Sequence, residues 1–514
     1  MFDSCYYTTQ LLSKCQSLIY DLADIFHFCI SNSLFLPFYT ILPVMRKISY
    51  IIFKNAIKKC IKAVGTKPYL HAHPNYIILY RRKNIKYNLE NIFYFRRNFM
   101  LTAGIITEYN PFHNGHRYQI EQTRSELDCS HIISVMSGNF LQRGLPAVCN
   151  KFMRAEMAVA SGVDAVFELP VVYATASAKD FAYAGIDLLN KLNTVDYLVF
   201  GAECDDLSLL ESVAEILIDE PASFSACLKK NLSKGMSYPS ARANAIKSCC
   251  PAGTDLLKEP NNILAVEYLS ALKKTRSSIK PYIIKRTSAG YNSEDITGSI
   301  CSASAIRHLL QQINTDHTEE PDALFKTFYQ VLPAVSADLL KTEYLHTYPI
   351  FENHLTSILQ YCLIMQNDAP DTVDMTDELY NKLKKTNLLQ SYAAIAESLK
   401  SKDLTQTRIN RALLHFILGI RKNTMSMYKE SGWNHYGHIL ALNRSGSDVI
   451  RQIKRNSDLP VFTKPADGIR FLSDTGRLLF EQDIKATRLY NTAVYAAYKT
   501  ELPDDFTARL PVRS

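Results

Sequence analysis

Residues 104–116 read GIITEYNPFHNGH. Two histidines, His113 and His116, stand three residues apart around Asn114-Gly115, directly after a short apolar run. A helix opening near Arg117 would turn both imidazoles the same way on its first turn. A helix N-terminus also supplies unpaired amide N–H groups and the positive end of a dipole, which suits a phosphate. Imidazole donors placed there can stabilise negative charge as it grows on a phosphorus centre. Pro111 fixes the loop, and Gly115 lets backbone approach a ligand. An arbitrary H-x-x-H is usually a loop with two surface histidines. The position of this one, at the end of an N-terminal buried strand, favours phosphate chemistry.

A second group lies in SASAIR, residues 302–307. Ser302 and Ser304 can cap a helix and offer hydroxyls, and Arg307, at i+3 from Ser304, can clamp phosphate oxygens bidentately. Alone the string is weak, because serine caps are common and arginines are usually solvated.

Positioning such groups needs a sheet. Short apolar runs at Ala103–Glu108, His131–Met136, Ala165–Glu168, Tyr197–Phe200 and Tyr282–Lys285 predict strands. Between them, helical patterns run near Arg117–Leu127, Lys151–Ser161, Ala178–Leu192, Leu207–Ile218 and Asn262–Lys273. This order predicts an α/β fold, a Rossmann-like parallel sheet with helices on both faces and ligands at the carboxyl ends of the strands. After about residue 315 the strand signal fades and helical spacing takes over, predicting a mainly helical C-terminal domain. A small α/β tail follows, with YGHILALN as a strand and GSDVIRQIKR as a helix. The expected division is therefore 1–99, 100–315 and 316–514.

Charge separates the first of these segments from the rest. The chain of 514 residues carries 58 Lys+Arg against 50 Asp+Glu. Residues 1–99 hold 14 against 4, and the other 415 hold 44 against 46. If the main body binds nucleic acid, it must use a local patch and not a global field. Residues 1–99 lack clear caps or periodicity and read as a basic extension. The sequence is expected to begin its working part at Met100, with the extension a misassigned start. The uncharged run Ile25–Met45 is long enough to span a bilayer but is interrupted by Pro37, Pro43 and Ser31-Asn32-Ser33, so no membrane segment is expected, least of all in residues 100–514. His71 and His73, in H-A-H, are a lone pair in a poorly patterned segment. Twelve cysteines without a CxxC pair signal neither a disulfide framework nor zinc, which fits a cytoplasmic protein with reduced thiols.

The H-N-G-H turn resembles the HxGH signature of the nucleotidyltransferase superfamily. More narrowly, GIITEYNPFHNGH, VMSGNFLQRGLPAVCNKFMRAEMA, GVDAVFELP, FGAE, PNNILAVEYLSAL, KRTSAGY and SASAIR, in this order, are similar to the bacterial tRNA(Met) cytidine acetate ligase family, from Met100 to SDLPVFTK. The resemblance implies an enzyme that converts acetate and ATP to acetyl-adenylate, then acetylates the exocyclic amine of the wobble cytidine of elongator tRNA(Met). It implies His113 and His116 as catalytic residues within an ATP-binding turn made of Ile106, Thr107, Glu108, Tyr109, Asn110, Pro111, Phe112, His113, Asn114, Gly115, His116, Arg117 and Tyr118. It adds Gly201, Asn262, Arg286, Ser302, Ser304 and Arg307 to that site. Ala202 replaces the family's serine in FGSE, and Ser304 replaces the threonine of SATAIR while keeping the hydroxyl. For Gly201, Asn262 and Arg286 the plain readings are a turn glycine, an N-cap and a solvated arginine. Arg143, Lys151, Arg408, Arg411, Arg451, Lys454 and Arg455 are candidates for tRNA phosphates, each otherwise an ordinary surface cation. No prosthetic group is implied, no acidic cluster for a resident metal is visible, and Mg²⁺ would arrive with ATP. A small-molecule adenylyltransferase and a non-catalytic RNA-binding protein on the same scaffold remain the alternatives.

Overall fold

The computed structural model describes residues 69–73, 76–80, 101–286, 298–316, 321–365, 371–401 and 404–513. The chain forms two compact units, Met1–Asn91 and Ile92–Ser514. In the first, β1 (Tyr69–His73) and β2 (Tyr76–Tyr80) pair as an antiparallel hairpin, and His71 and His73 lie on β1. The run Ile25–Met45 and Met100 lie outside the described residues.

In the second unit, β3 (Thr102–Thr107), β4 (His131–Ser137), β5 (Ala165–Leu169), β6 (Tyr197–Ala202) and β7 (Lys280–Lys285) form a parallel sheet in the order β5-β4-β3-β6-β7. The strands are apolar runs because helices cover both faces. Alternation along each strand feeds two cores. Ile105, Ile132 and Met136 face one core, shared with α1 (Asn114–Leu127), α2 (Lys151–Ala160) and α5 (Ala303–Asp316). Ile106, Ile133 and Val135 face the other, shared with α3 (Ala178–Leu192) and α4 (Pro260–Lys274). The strand following β3 in the chain lies on one side of it and β6 on the other, so a crevice opens at the carboxyl end of β3.

The expected elements are present, with two differences that matter. Helix α1 begins at Asn114, three residues before Arg117, which makes His113 its N-cap and places His116 inside the first turn. The strand in YGHILALN, β8 (Gly437–Asn443), joins the same sheet. It pairs antiparallel with β5 and carries β9 (Val461–Phe462) and β10 (Val512–Arg513) beside it. Residues 321–430 are mainly helical where described, including α6 (Gln406–Leu418). Helices α7 (Arg444–Asn456) and α8 (Asp474–Tyr498) then pack back on the sheet region. Residue 315 lies within the second compact unit. Among the described residues no helix is long and apolar enough to cross a membrane.

Candidate active site at the first strand-to-helix turn

His113 caps α1 with its own ring. The Gly115 N–H donates to His113 Nδ1 at 3.0 Å, and the His113 N–H donates to His116 Nδ1 at 3.3 Å. Both Nδ1 atoms are therefore acceptors, and each neutral ring carries its proton on Nε2. The rings stack with centroids 3.8 Å apart. Burial pushes His113 down to about 3, and the nearby Arg286 and Arg307 guanidinium groups add to this. His116 is held well below its ordinary value by burial, then by His113 and Arg286. The pair thus offers uncharged N–H donors at neutral pH.

Both rings line a cleft of about 460 Å³ with Gly115, Tyr118, Gly201, Lys285 and Arg286. The stem of Arg286 lies over Gly201, where an added Cβ would come 3.3 Å from Arg286 Cγ. Sequence reasoning missed Lys285, which lines the same cleft and pairs with Asp205 at 2.8 Å. A roomier cleft of about 680 Å³ opens at the opposite end of the sheet, lined by Asn190, Asn193, Asp196, Gln452 and Asn456 among others. Its one carboxylate, Asp196, already accepts the Thr102 N–H at 2.8 Å. The smaller cleft holds the cations and the donor pair, which makes it the candidate site.

Other residues of the turn are its frame. Ile106 and Phe112 are buried in the two cores, and the buried Tyr109 hydroxyl pairs with Ser134 Oγ at 2.9 Å. Asn110 accepts the Val148 N–H on Oδ1 and an Arg307 N–H on its carbonyl, both at 2.8 Å. Asn114 reaches the carbonyls of Ser299 and Gln330. Ser302 accepts the Ala305 N–H at 3.0 Å, capping α5, and Ser304 accepts a second Arg307 N–H at 3.0 Å. Arg307 therefore ties the SASAIR helix to the histidine turn. Asn262 is neither an N-cap nor a cleft-lining residue: its Oδ1 accepts the N–H groups of Glu203 and Cys204, fixing the turn that follows Gly201. Arg117 faces solvent, paired with Glu121.

Arg154 was not singled out from the sequence. It is fully buried and donates to the carbonyls of Glu108, Ser137, Gly138 and Cys149, clamping the carboxyl ends of β3 and β4. Its partners are backbone atoms, which leave no sequence signal.

The candidate tRNA contacts divide by position. Lys151 is withdrawn as a phosphate contact. It is fully buried, with Nζ 2.7 and 2.8 Å from the Glu168 oxygens and 2.5 Å from Asp505 Oδ1. Glu168, Asp505 and His438 are the one trio of metal-capable side chains found among the described residues, and the Lys151 ammonium already supplies a cation to two of them. Arg411 pairs with Asp374 at 2.9 Å and is largely buried. Helix α6 packs onto the loop after β4 at Gly144, whose φ of +74° and 2.3 Å approach of a Cβ to the Arg411 N admit only glycine. Arg143 and Arg408 are thus brought to the histidine edge, both half-exposed. Arg451, Lys454 and Arg455 are exposed but lie near the carboxyl end of α7, where the Asn456 carbonyl meets Asn193 at the opposite edge. A six-residue strand separates those edges by about 20 Å.

Sheet order and histidine turn together define the class, a nucleotidyltransferase of the HIGH type. A model of the family described as HIGH Nucleotidyl Transferase matches residues 100–504. The chain is 36% identical over 400 residues to the tRNA(Met) cytidine acetate ligase of Acetivibrio thermocellus, covering 76% of this chain and 94% of that protein. It is 37% identical over 402 residues to the Clostridium kluyveri ligase of the same name, covering 76% and 95%. Among solved structures, Thermotoga maritima TmcAL is 28% identical. Its apo form I superposes with a TM-score of 0.73 over 80% of this chain and 99% of that one. The form II bound with alpha-thio ATP gives 0.71 over 80% and 100%. The chain belongs to the tRNA(Met) cytidine acetate ligase family.

Proposed function

We propose that this chain activates acetate with ATP and transfers the acetyl group to N4 of the wobble cytidine of elongator tRNA(Met), in the cytoplasm. The observation that carries the first half is the neutral histidine pair facing Arg286 across one cleft. An acetate oxygen attacks the α-phosphorus, the α–β phosphoanhydride bond breaks, and pyrophosphate leaves with the electron pair. The two Nε2–H groups and Arg286 bind the phosphate oxygens on which charge grows, and neutral donors avoid the cost of two stacked imidazolium ions. Arg307 holds the turn in place. The N4 lone pair then attacks the acetyl carbonyl, AMP departs with the C–O electron pair, and the amine proton passes to solvent. Adenylation is needed because a free carboxylate is a poor acyl donor and an aromatic amine a weak nucleophile.

Mg²⁺ enters as the ATP complex. Among the described residues no carboxylate lines the cleft, and Asp205, which pairs with the cleft's Lys285, is already engaged, so phosphate oxygens would carry the metal, which would screen their charge. The tRNA approaches the histidine edge, where Arg143 and Arg408 meet its phosphates, and Arg451, Lys454 and Arg455 are too remote to touch the reacting nucleotide.

The test is incubation with ATP, acetate and unmodified elongator tRNA(Met), then mass spectrometry of the digested RNA for N4-acetylcytidine. Acetate-dependent ATP–pyrophosphate exchange without acetylated RNA would leave only the activation half standing. A dinucleotide product formed without tRNA would replace this reading with an adenylyltransferase.

A further inference from the structure

The segment between β6 and α4 carries a charge pattern that the whole-chain balance hides. Residues 221–254 contain five Lys+Arg and no Asp or Glu, whereas the rest of residues 100–514 holds 39 against 46. This stretch folds as two helices side by side, Ala222–Ser233 and Tyr238–Cys249, with Ser223 against Cys249 and Cys227 against Asn244. Phe224, Ala241, Ala245 and Ile246 form the buried side. Lys229, Lys230, Lys234 and Lys247 are exposed, and among the described residues none forms an ion pair with a carboxylate. Neighbouring lysines behave differently: Lys258, Lys273 and Lys285 meet Asp255, Glu215 and Asp205. Arg242 is turned inward onto Glu267 at 3.0 Å. The hairpin therefore keeps four cations on its surface that packing does not need.

We propose that this helical hairpin docks the phosphate backbone of the RNA substrate, an inference that rests on tRNA being the acyl acceptor. A local cluster of exposed lysines that, among the described residues, form no ion pair, on a body that is otherwise acidic, is the electrostatic footprint of polyanion binding. Tyr238, 56% exposed between Lys234 and Lys247 in sequence, offers a ring for a base or ribose. Among the described residues the hairpin's other exposed large apolar side chain is Leu232, too little to seat it in a lipid surface. The hairpin is also tied to the cleft. Its segment leaves the sheet just after Gly201-Ala202 and returns at Asn262, whose side chain binds the N–H groups of Glu203 and Cys204. RNA held there is coupled to the wall that carries Gly201.

The test is the full chain with K229Q, K230Q, K234Q and K247Q together. Binding of elongator tRNA(Met) is measured from about 50 to 200 mM KCl, beside acetate-dependent ATP–pyrophosphate exchange without RNA. Affinity is expected to fall at least about tenfold, and the log–log salt slope to shrink by roughly 0.7–0.9 for each lysine in contact. Exchange should stay within about twofold. Unchanged affinity and slope in a variant that exchanges normally overturn the proposal. If exchange itself is damaged, K229Q/K230Q alone must still shrink the slope by one to two. Wild-type protein that exchanges ATP but never binds or acetylates tRNA sinks the acceptor reading and this surface with it. Wild type that acetylates tRNA as well as the variant does sinks the surface alone. Loss of binding to phosphatidylserine–phosphatidylcholine vesicles with tRNA affinity intact assigns the lysines to a membrane, and also overturns it.

Discussion

Two polar groups are buried at the same edge of the sheet, one at the turn after β3 and one at the start of α2, and burial treats them oppositely. Lys151, Glu168, Asp505 and His438 compensate one another. The ammonium touches three carboxylate oxygens, and His438 Nδ1 lies 2.8 Å from Glu168. Burial opposes every charge in this group, yet Asp505 and Glu168 hold the Lys151 ammonium above its usual range. Against the same burial, Lys151 and His438 hold Glu168 down at about 2. His113 and His116 have only each other and two nearby guanidinium groups, so burial wins and they are neutral. A closed charge group is scaffold. One with donors and cations but no anion is complete only with a ligand.

That distinction is broken most forcefully at Lys151. Lys151→Ala leaves Glu168 and Asp505 buried without their cation, at an expected cost of about 3–5 kcal/mol, and urea denaturation should show it. Lys151→Met with Glu168→Gln should cost clearly less than the sum of the single changes. A small loss in Lys151→Ala would mean the group is not closed.

His116→Ala should reverse the pattern. Stability should hold, while kcat/KM for ATP–pyrophosphate exchange falls about 10²–10³-fold, roughly 3–4 kcal/mol at 1.36 kcal/mol per decade. Loss of tRNA binding with intact exchange would contradict the assignment.

Acid separates the two groups by window. His113 moves from an ordinary 6.5 down to about 3, so between those values the unfolded chain binds more protons and stability falls as pH drops. Glu168 moves from 4.5 down to about 2, so its contribution is full above 4.5 and is lost below it. His113→Gln with His116→Gln should therefore lessen the loss of urea stability between pH 6.5 and 4.5, a window to which His131, His415 and His435, also held down by burial, contribute, and leave the Glu168 part of the fall below 4.5 in place. An unchanged upper window would mean the rings are not buried neutral.

These contrasts also mark what the sequence could reveal. The histidine turn was legible because strand, loop and helix start are contiguous, and the parallel order was legible because each strand is an apolar run. The start of α1 was misjudged because a histidine cap is not among the usual Ser, Thr, Asp and Asn signals. Lys151 resembled a surface cation because its partner Asp505 lies 354 residues away. Arg154 was silent because it binds carbonyls, and β8 was legible as a strand but its partner was not, because antiparallel pairing to β5 joins segments far apart in the chain. The acid-free stretch 221–254 was countable, but averaging over the main body concealed it.

SASAIR supplies the finest cut between the two kinds of group. By resemblance it belongs to the nucleotide site, but its polar atoms are engaged within the protein: Ser302 caps α5, Ser304 accepts from Arg307, and Arg307 also reaches the Asn110 carbonyl. Compensation therefore marks Ser304 as a positioning residue. Ser304→Ala should cost about 0.5–1.5 kcal/mol of stability, the usual worth of one hydrogen bond. The KM for ATP should rise no more than a few-fold, because Arg307 keeps its bond to Asn110. Arg307→Ala, which frees the histidine turn from α5, should cost more in both measurements. A fall of a hundredfold in Ser304→Ala with stability unmoved would show that the hydroxyl leaves Arg307 for phosphate when ATP binds, and an internally satisfied group would then no longer be a sign of scaffold.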